Sequence, residues 1–195
     1  MRRNVLHCLL LILPTIATLF QATAARAADE EKKPEQIVLG EGKIKLDVPS
    51  GWKSEKPRTR IVDFEFSIPA VEDDAIDGRV TVMGAGGSVD ANIGRWIAQF
   101  VQPDRTATSE RTIREERKIA GQVVHLVDIT GDFKDQPRGP FGPTVMREKY
   151  RMLGAIITTD KLGQYFVKVY GPRRTIAENE EAFKKLINSL QVSTK

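Results

Sequence analysis

The chain has 195 residues, 41% of them hydrophobic and 29% charged, with a net charge of +4, one cysteine and two histidines. One cysteine excludes a disulfide framework and a multi-thiolate metal centre, and the composition is that of an ordinary globular chain of one-domain size.

Arg2 and Arg3 precede an almost wholly apolar run from Val5 to Phe20, and Ala25-Arg26-Ala27 then offers a small-x-small cleavage site ahead of the charged Asp29-Glu30-Glu31-Lys32-Lys33. This is the layout of a secretory signal peptide spanning residues 1–27, cleaved after Ala27. The apolar run, about 16 residues, is short of the roughly 20 that a membrane-spanning helix needs, so no stable span is expected after cleavage. Cys8 lies inside the apolar core and not at the cleavage point, which argues against a lipoprotein, and that greasy core favours the general export route over the twin-arginine one. Cleavage removes Arg2, Arg3 and Arg26 but no acid, leaving 27 basic against 26 acidic residues and a charge of +1. No electrostatic case for nucleic acid survives. Cleavage also removes Cys8 and His7, so the exported chain carries no thiol and only His125.

Residues 28–35 are charged, contain Pro34 and lack periodicity, and are taken as a flexible tether to a single domain over residues 36–192. A short strand at Ile37 to Leu39 is followed by strict alternation, Ile44, Leu46 and Val48 against Lys43, Lys45 and Asp47. Val62, Phe64, Phe66 and Ile68 repeat it against Asp63, Glu65 and Ser67, and Arg79 to Met83 makes another strand. Strands with one wet face belong to an antiparallel sheet. After Gly84-Ala85-Gly86-Gly87 the period becomes helical: Val89, Ile93, Trp96, Ile97 and Phe100 share one stripe, with Ser88 placed as cap. Four further strands are expected at Thr112 to Ile119, Gln122 to Phe133, Met146 to Thr158 and Tyr165 to Tyr170, with Ala120-Gly121 as a tight turn. Thr175-Ile176-Ala177-Glu178 reads as a capping box opening a last helix. The order ββββ-α-ββββ-α predicts an α+β fold, an antiparallel sheet of about six to seven strands with two main helices packed on it.

The strand ending Val48-Pro49-Ser50-Gly51-Trp52, the helix after a glycine-rich break, and the closing Phe183…Leu186-Ile187-Asn188-Ser189-Leu190 resemble the PsbP/Mog1-like superfamily over roughly residues 36–192. The segment Gly86 to Ile93 with Arg95-Trp96 also resembles uncharacterised exported bacterial proteins. The first resemblance implies the α+β fold above and a non-catalytic binding module, and no functional residue is carried over, because fold does not fix function.

Few constellations suggest chemistry. Gly84 to Gly87 before a helix invites a phosphate, but Val89 stands where a dinucleotide fingerprint needs its third glycine. Glu72, Asp73, Asp74 and Asp77 suggest calcium, yet aligning Gly78 with the loop glycine of an EF-hand puts Ala75 and Gly84 at ligand positions. Asp63 and Glu65, on one strand face about 7 Å apart, and likewise Asp128 and Asp132, are read as solvated pairs and not as acid and base. His125 shares a strand face with Val123, Val127 and Ile129 and is read as a packed imidazole, with no Gly-x-Ser-x-Gly elbow to supply a nucleophile. No metal and no cofactor is expected.

Two features suit partner contact. Asn92, Arg95 and Gln99 form a polar ridge on the first helix, and the loop from Gln136 to Pro143 presents Arg138 and Phe141, an arginine-plus-aromatic pair common at interfaces. The expected function is that of an exported, periplasmic or secreted, non-enzymatic binding or accessory protein with a protein partner in the cell envelope. Its alternatives are a carrier of a small apolar ligand, which needs a cavity between sheet and helices, and a carboxylate-dependent hydrolase, which needs acids converging in a cleft.

Overall fold

The expected early strands become β1 (Gln36–Leu39), β2 (Ile44–Asp47), β4 (Phe64–Ile68) and β5 (Gly78–Ala85), with an unexpected short β3 (Lys53–Glu55) between β2 and β4. Helix α1 (Val89–Ile97) follows, then β6 (Phe100–Val101), a 3-10 turn (Thr108–Arg111), β7 (Ile113–Ile119), β8 (Gln122–Asp135), β9 (Val145–Thr158) and β10 (Gln164–Pro172). Helices α2 (Arg173–Glu178) and α3 (Glu180–Asn188) and strand β11 (Gln191–Val192) close the chain. The computed structural model describes residues 35–71, 73–137 and 142–193.

The fold is α+β, as expected, but it holds two sheets. Eight antiparallel strands run in the order β3-β4-β5-β10-β9-β8-β6, with β7 also on β8, while β1, β2 and β11 form a separate sheet of three. Ile37, Leu39, Ile44 and Leu46 of the small sheet join the core under the C-terminal helices, so the early alternation reports burial against those helices and the large sheet's inner face. Strands β3, β6 and β11 are two or three residues long, too short to show a period.

Because side chains alternate along a strand, the large sheet has two different cores. Val80, Val82, Ala155, Ile157, Val167 and Val169 face the small sheet and α2–α3, whose Ile176, Phe183, Leu186 and Ile187 cover them. Val127, Ile129, Met152, Ile156 and Phe166 face the other way and pack with Ile93 and Trp96 of α1. Ser88 caps α1 by accepting from the Ala91 N–H at 3.2 Å. Ala120 and Gly121 both take positive φ, 48° and 79°, as a two-residue turn between β7 and β8 requires.

The last helix corrects the expectation drawn from the Thr175 capping box. Helix α2 already begins at Arg173, and Thr175 lies inside it with no exposed surface, its hydroxyl donating to Asp74 Oδ2 at 2.6 Å. The helical path breaks at Asn179, whose Oδ1 accepts from Trp52 Nε1 at 3.1 Å and whose Nδ2 donates to the Thr175 carbonyl at 2.9 Å.

Gly154 sets how closely α1 approaches the sheet. A Cβ there would lie 2.6 Å from Cζ3 of Trp96, so the indole rests on bare backbone. Gly154→Ala is expected to cost about 1–3 kcal/mol through overpacking, measured by urea unfolding; wild-type stability in the variant would show that the indole does not need that contact.

Candidate functional site

Helix α1 covers only part of its face of the large sheet. Cross-strand register places Glu65, Thr81, Lys168 and Gly154 in one row on that face, and Ser67, Arg79, Tyr170 and Met152 in the next. Where Trp96 ends, the surface turns polar, and there Glu65, Arg79, Lys168 and Tyr170 meet.

Glu65 corrects the solvated-pair reading. It is 3% exposed. Its Oε1 lies 2.8 Å from Arg79 Nε, and its Oε2 accepts from Arg79 Nη2 at 3.0 Å and from the Arg58 backbone N–H at 2.9 Å. The Arg58 guanidinium adds a second ion pair at 3.0 Å. Burial pushes the Glu65 carboxyl up, but the hydrogen bonds and charges of Arg79 and Arg58 outweigh it and hold the group below the ordinary carboxylate value. Arg79 also donates through Nη1 to the Tyr170 hydroxyl at 2.6 Å. Asp63 lies apart from this arrangement, its Oδ2 accepting from the Gly84 N–H.

Lys168 stands beside this pair and has no carboxylate partner among the described residues. Its ammonium donates to Gln99 Oε1 at 3.0 Å and lies 5.6 Å from the Trp96 ring centre and 5.4 Å from that of Tyr170. Ring faces attract a cation without neutralising it. Burial, and then the charge of Arg79, push Lys168 down from 10.5 to about 8. Burial raises the Tyr170 hydroxyl, which keeps it a neutral donor.

The wall opposite is the β8–β9 hairpin, whose register shifts between Gly131 and Phe133. A Cβ at Gly131 would sit 2.7 Å from the Val101 carbonyl, so the bend brings β8 against β6. Phe133 then stacks on Tyr150, ring centres 5.7 Å apart and planes within 3°, and touches Tyr170 at 5.4 Å. Between hairpin and sheet lie two adjoining recesses of about 220 and 130 Å³ that share Arg79, Phe133, Asp135 and Tyr170. Gln99 and Lys168 line the first, and Arg58, Arg147 and Tyr150 the second. Arg147 is paired with Asp135 at 3.2 Å.

The expected contact residues separate. Asn92 is not on a ridge: it is 1% exposed, and its Nδ2 donates to the carbonyls of Gly86 and Ser88, fastening α1 to the glycine-rich turn. Its Oδ1 accepts from the exposed Arg95. Gln99 turns into the groove to hold Lys168. Arg138 and Phe141 lie outside the described residues; Asp135, Gln136 and Pro137, which precede them in sequence, line the groove.

The other acids are engaged in structure. Asp74 Oδ2 accepts from the backbone and hydroxyl of Thr175, Asp73 pairs with Arg174, and Asp77 accepts from the Ala70 N–H, while Glu72 lies outside the described residues. Asp128 binds Arg151 through both oxygens, and Asp132 accepts from the Lys149 N–H. His125 Nδ1 lies 3.4 Å from Glu116. Sequence pattern missed Glu65, Arg79 and Lys168 because alternation assigns them to a wet face. The available signal was a lysine two residues from tyrosine in the apolar Phe166-Val167-Lys168-Val169-Tyr170, where a solvated strand face would carry more polar neighbours.

No protein-family model matches the sequence, and no curated protein matches it. In structure the chain is similar to cyanobacterial PsbP (CyanoP) from Synechocystis, with 12% identity and a TM-score of 0.49 over 82% of this chain and 92% of that one. It is also similar to LpqN, a Mycobacterium tuberculosis protein involved in cell envelope biogenesis, with 10% identity and a TM-score of 0.49 over 82% and 90%. A protein of Bacteroides thetaiotaomicron is similar at 12% identity and a TM-score of 0.40, over 84% of this chain and 50% of that one. The resemblance to PsbP-like proteins is one of topology, and no residue, partner or activity passes across it.

Between pH 8 and 10.5 the unfolded chain keeps the Lys168 proton that the folded chain has released, so this residue makes stability rise with pH across that window. Relative to Lys168→Met, the wild type should therefore gain up to roughly 3 kcal/mol from pH 7 to 10.5, as followed by urea unfolding at stepped pH. A constant difference between the two proteins would show that Lys168 has an ordinary pKa.

Proposed function

We propose that this protein is exported with cleavage of residues 1–27, and that it serves, in the periplasm or outside the cell, as a non-enzymatic accessory protein binding an envelope protein. In this reading residues 28–35 tether the domain. The contact surface is the groove between α1 and the β8–β9 hairpin, with Gln99 inside it and Arg95 on the helix beside it, and Arg138 and Phe141, which follow the groove residue Pro137 in sequence, add to the contact.

The observation that carries the binding reading is Lys168, a half-buried cation held by an amide oxygen and two rings and given no counter-charge by the described residues. A desolvated charge without an ionic partner is costly to keep, and a partner's group that meets it recovers that cost. The hydrolase alternative needs a carboxyl raised toward neutrality. Glu65 is instead held low by Arg79 and Arg58 against its burial, and Glu180 is held low by Lys184 and Arg151. The carrier alternative needs an apolar chamber, whereas Trp96 rests directly on Gly154 and the grooves described above are walled by charged side chains. Among the described residues no helix is long and apolar enough to cross a membrane.

Intact mass of the protein recovered from the envelope fraction should give a chain beginning at Ala28. A pull-down from that fraction should recover a partner whose yield falls with Phe141→Ala and with Arg95→Ala. A retained Met1 would contradict cleavage after Ala27, and undiminished recovery with both variants would retire these contacts.

A further inference from the structure

The groove has a surplus of hydrogen-bond donors. Lys168 commits one N–H to Gln99 and has others to give. Arg79 spends Nε and Nη2 on Glu65 and one N–H of Nη1 on Tyr170, and its remaining N–H groups find no acceptor among the described residues. The Tyr170 hydroxyl accepts from Arg79 and keeps its own proton free to donate. The acceptors nearby already have partners: Glu65 two arginines, Asp135 Arg147 through Oδ2, Asp77 of the second recess the Ala70 N–H, and Gln99 Lys168 itself.

The recess on the opposite face of the sheet differs. Its wall also carries several charges, but they answer one another, Arg151 with Asp128 and Glu180, Lys184 with Glu180, and Arg117 with Glu115. Of these two recesses, only the groove beside α1 leaves donors unanswered. Its floor is aromatic, Phe133 and Tyr170, so an apolar or flat group can lie against it.

We infer that the groove binds a carboxylate or phosphate carried on a short apolar or aromatic stem, with Lys168, Arg79 and Tyr170 donating to the oxyanion and Phe133 flanking the stem. This rests on the reading of the same groove as a binding site and specifies the group that it takes. The recesses, about 130 and 220 Å³, suit one such group and its stem and not a long chain. The oxyanion supplies the charge that Lys168 lacks, and charge-assisted bonds from ammonium and guanidinium are the strong kind.

The test is a titration of the uniformly labelled domain with benzoate and with phenyl phosphate at fixed ionic strength, followed by backbone amide shifts, with benzylammonium as the cation of matched shape. Saturable shifts at Phe133, Lys168 and Tyr170 are expected for the anions and not for benzylammonium. Lys168→Met should weaken anion binding about tenfold or more, Lys168→Arg should restore most of it, and Lys184→Met, on the opposite face, should leave it unchanged. Should Lys168→Met fail to fold, slower acetylation of Lys168 in the wild-type protein when benzoate is present gives the same answer. Equal binding of benzylammonium, absence of saturable shifts, full affinity in Lys168→Met, or acetylation indifferent to benzoate would each overturn the inference. Binding of free benzoate alone points to a small-molecule ligand, whereas release of a captured partner by benzoate shows that the partner supplies the carboxylate. Undiminished partner recovery by Lys168→Met, without anion binding, would sink this inference and leave the envelope-binding reading standing.

Discussion

Arg79 and Lys168 project from adjacent strands onto the same face of the sheet, near enough for the charge of one to lower the pKa of the other. Two cations sharing a poorly solvated surface repel strongly, because the screening of bulk water is reduced there. Glu65 resolves this conflict. Buried to 97% and bonded to Arg79 through both oxygens, it turns the guanidinium into half of an ion pair and a scaffold for Tyr170. Lys168 can then stay in place with only Gln99, Trp96 and Tyr170 around it. A buried pair of this sort is weak evidence for net stability, since removing its ions from water costs about as much as their attraction returns. Its consequence here is positional, because it fixes which of the groove's two central cations is neutralised and which is not.

Backbone geometry makes room for that arrangement. Gly154 lets Trp96 lie against the sheet one strand away from Lys168, so the indole edges the cation without covering it. Gly131 and the shifted register beyond it bend the hairpin until Phe133 reaches Tyr170. The groove is what remains between a helix that stops short and a hairpin that leans in. Its chemistry comes from the strands beneath, held together by the long pairing of β9 with β8 on one side and β10 on the other.

Much of the fold was legible in the sequence because burial enforces a period. Val80 and Val82, Val167 and Val169, and the stripe through Ile93 and Trp96 each occupy the face that their spacing predicts. The division into two sheets was not legible, since alternation tells which side of a strand is buried and not which element buries it. The groove was hidden for a related reason. Glu65 and Lys168 sit at positions that a half-wet strand gives to solvent, and only cross-strand register brings Arg79 and Tyr170 to meet them. Asn92 failed in the opposite sense, for a polar residue on a helix can point inward when nearby carbonyls, here those of Gly86 and Ser88, need a donor.

If Glu65 neutralises Arg79 and thereby sets the charge on Lys168, the Lys168 pKa must respond to Glu65. The direct measurement is an NMR pH titration of the Lys168 side chain in the wild type and in Glu65→Gln. The account predicts a midpoint near 8 in the wild type and a lower one in the variant, where Arg79 repels Lys168 without its carboxylate. A midpoint near 10.5 in the wild type, or one that Glu65→Gln does not move in a folded protein, would contradict it.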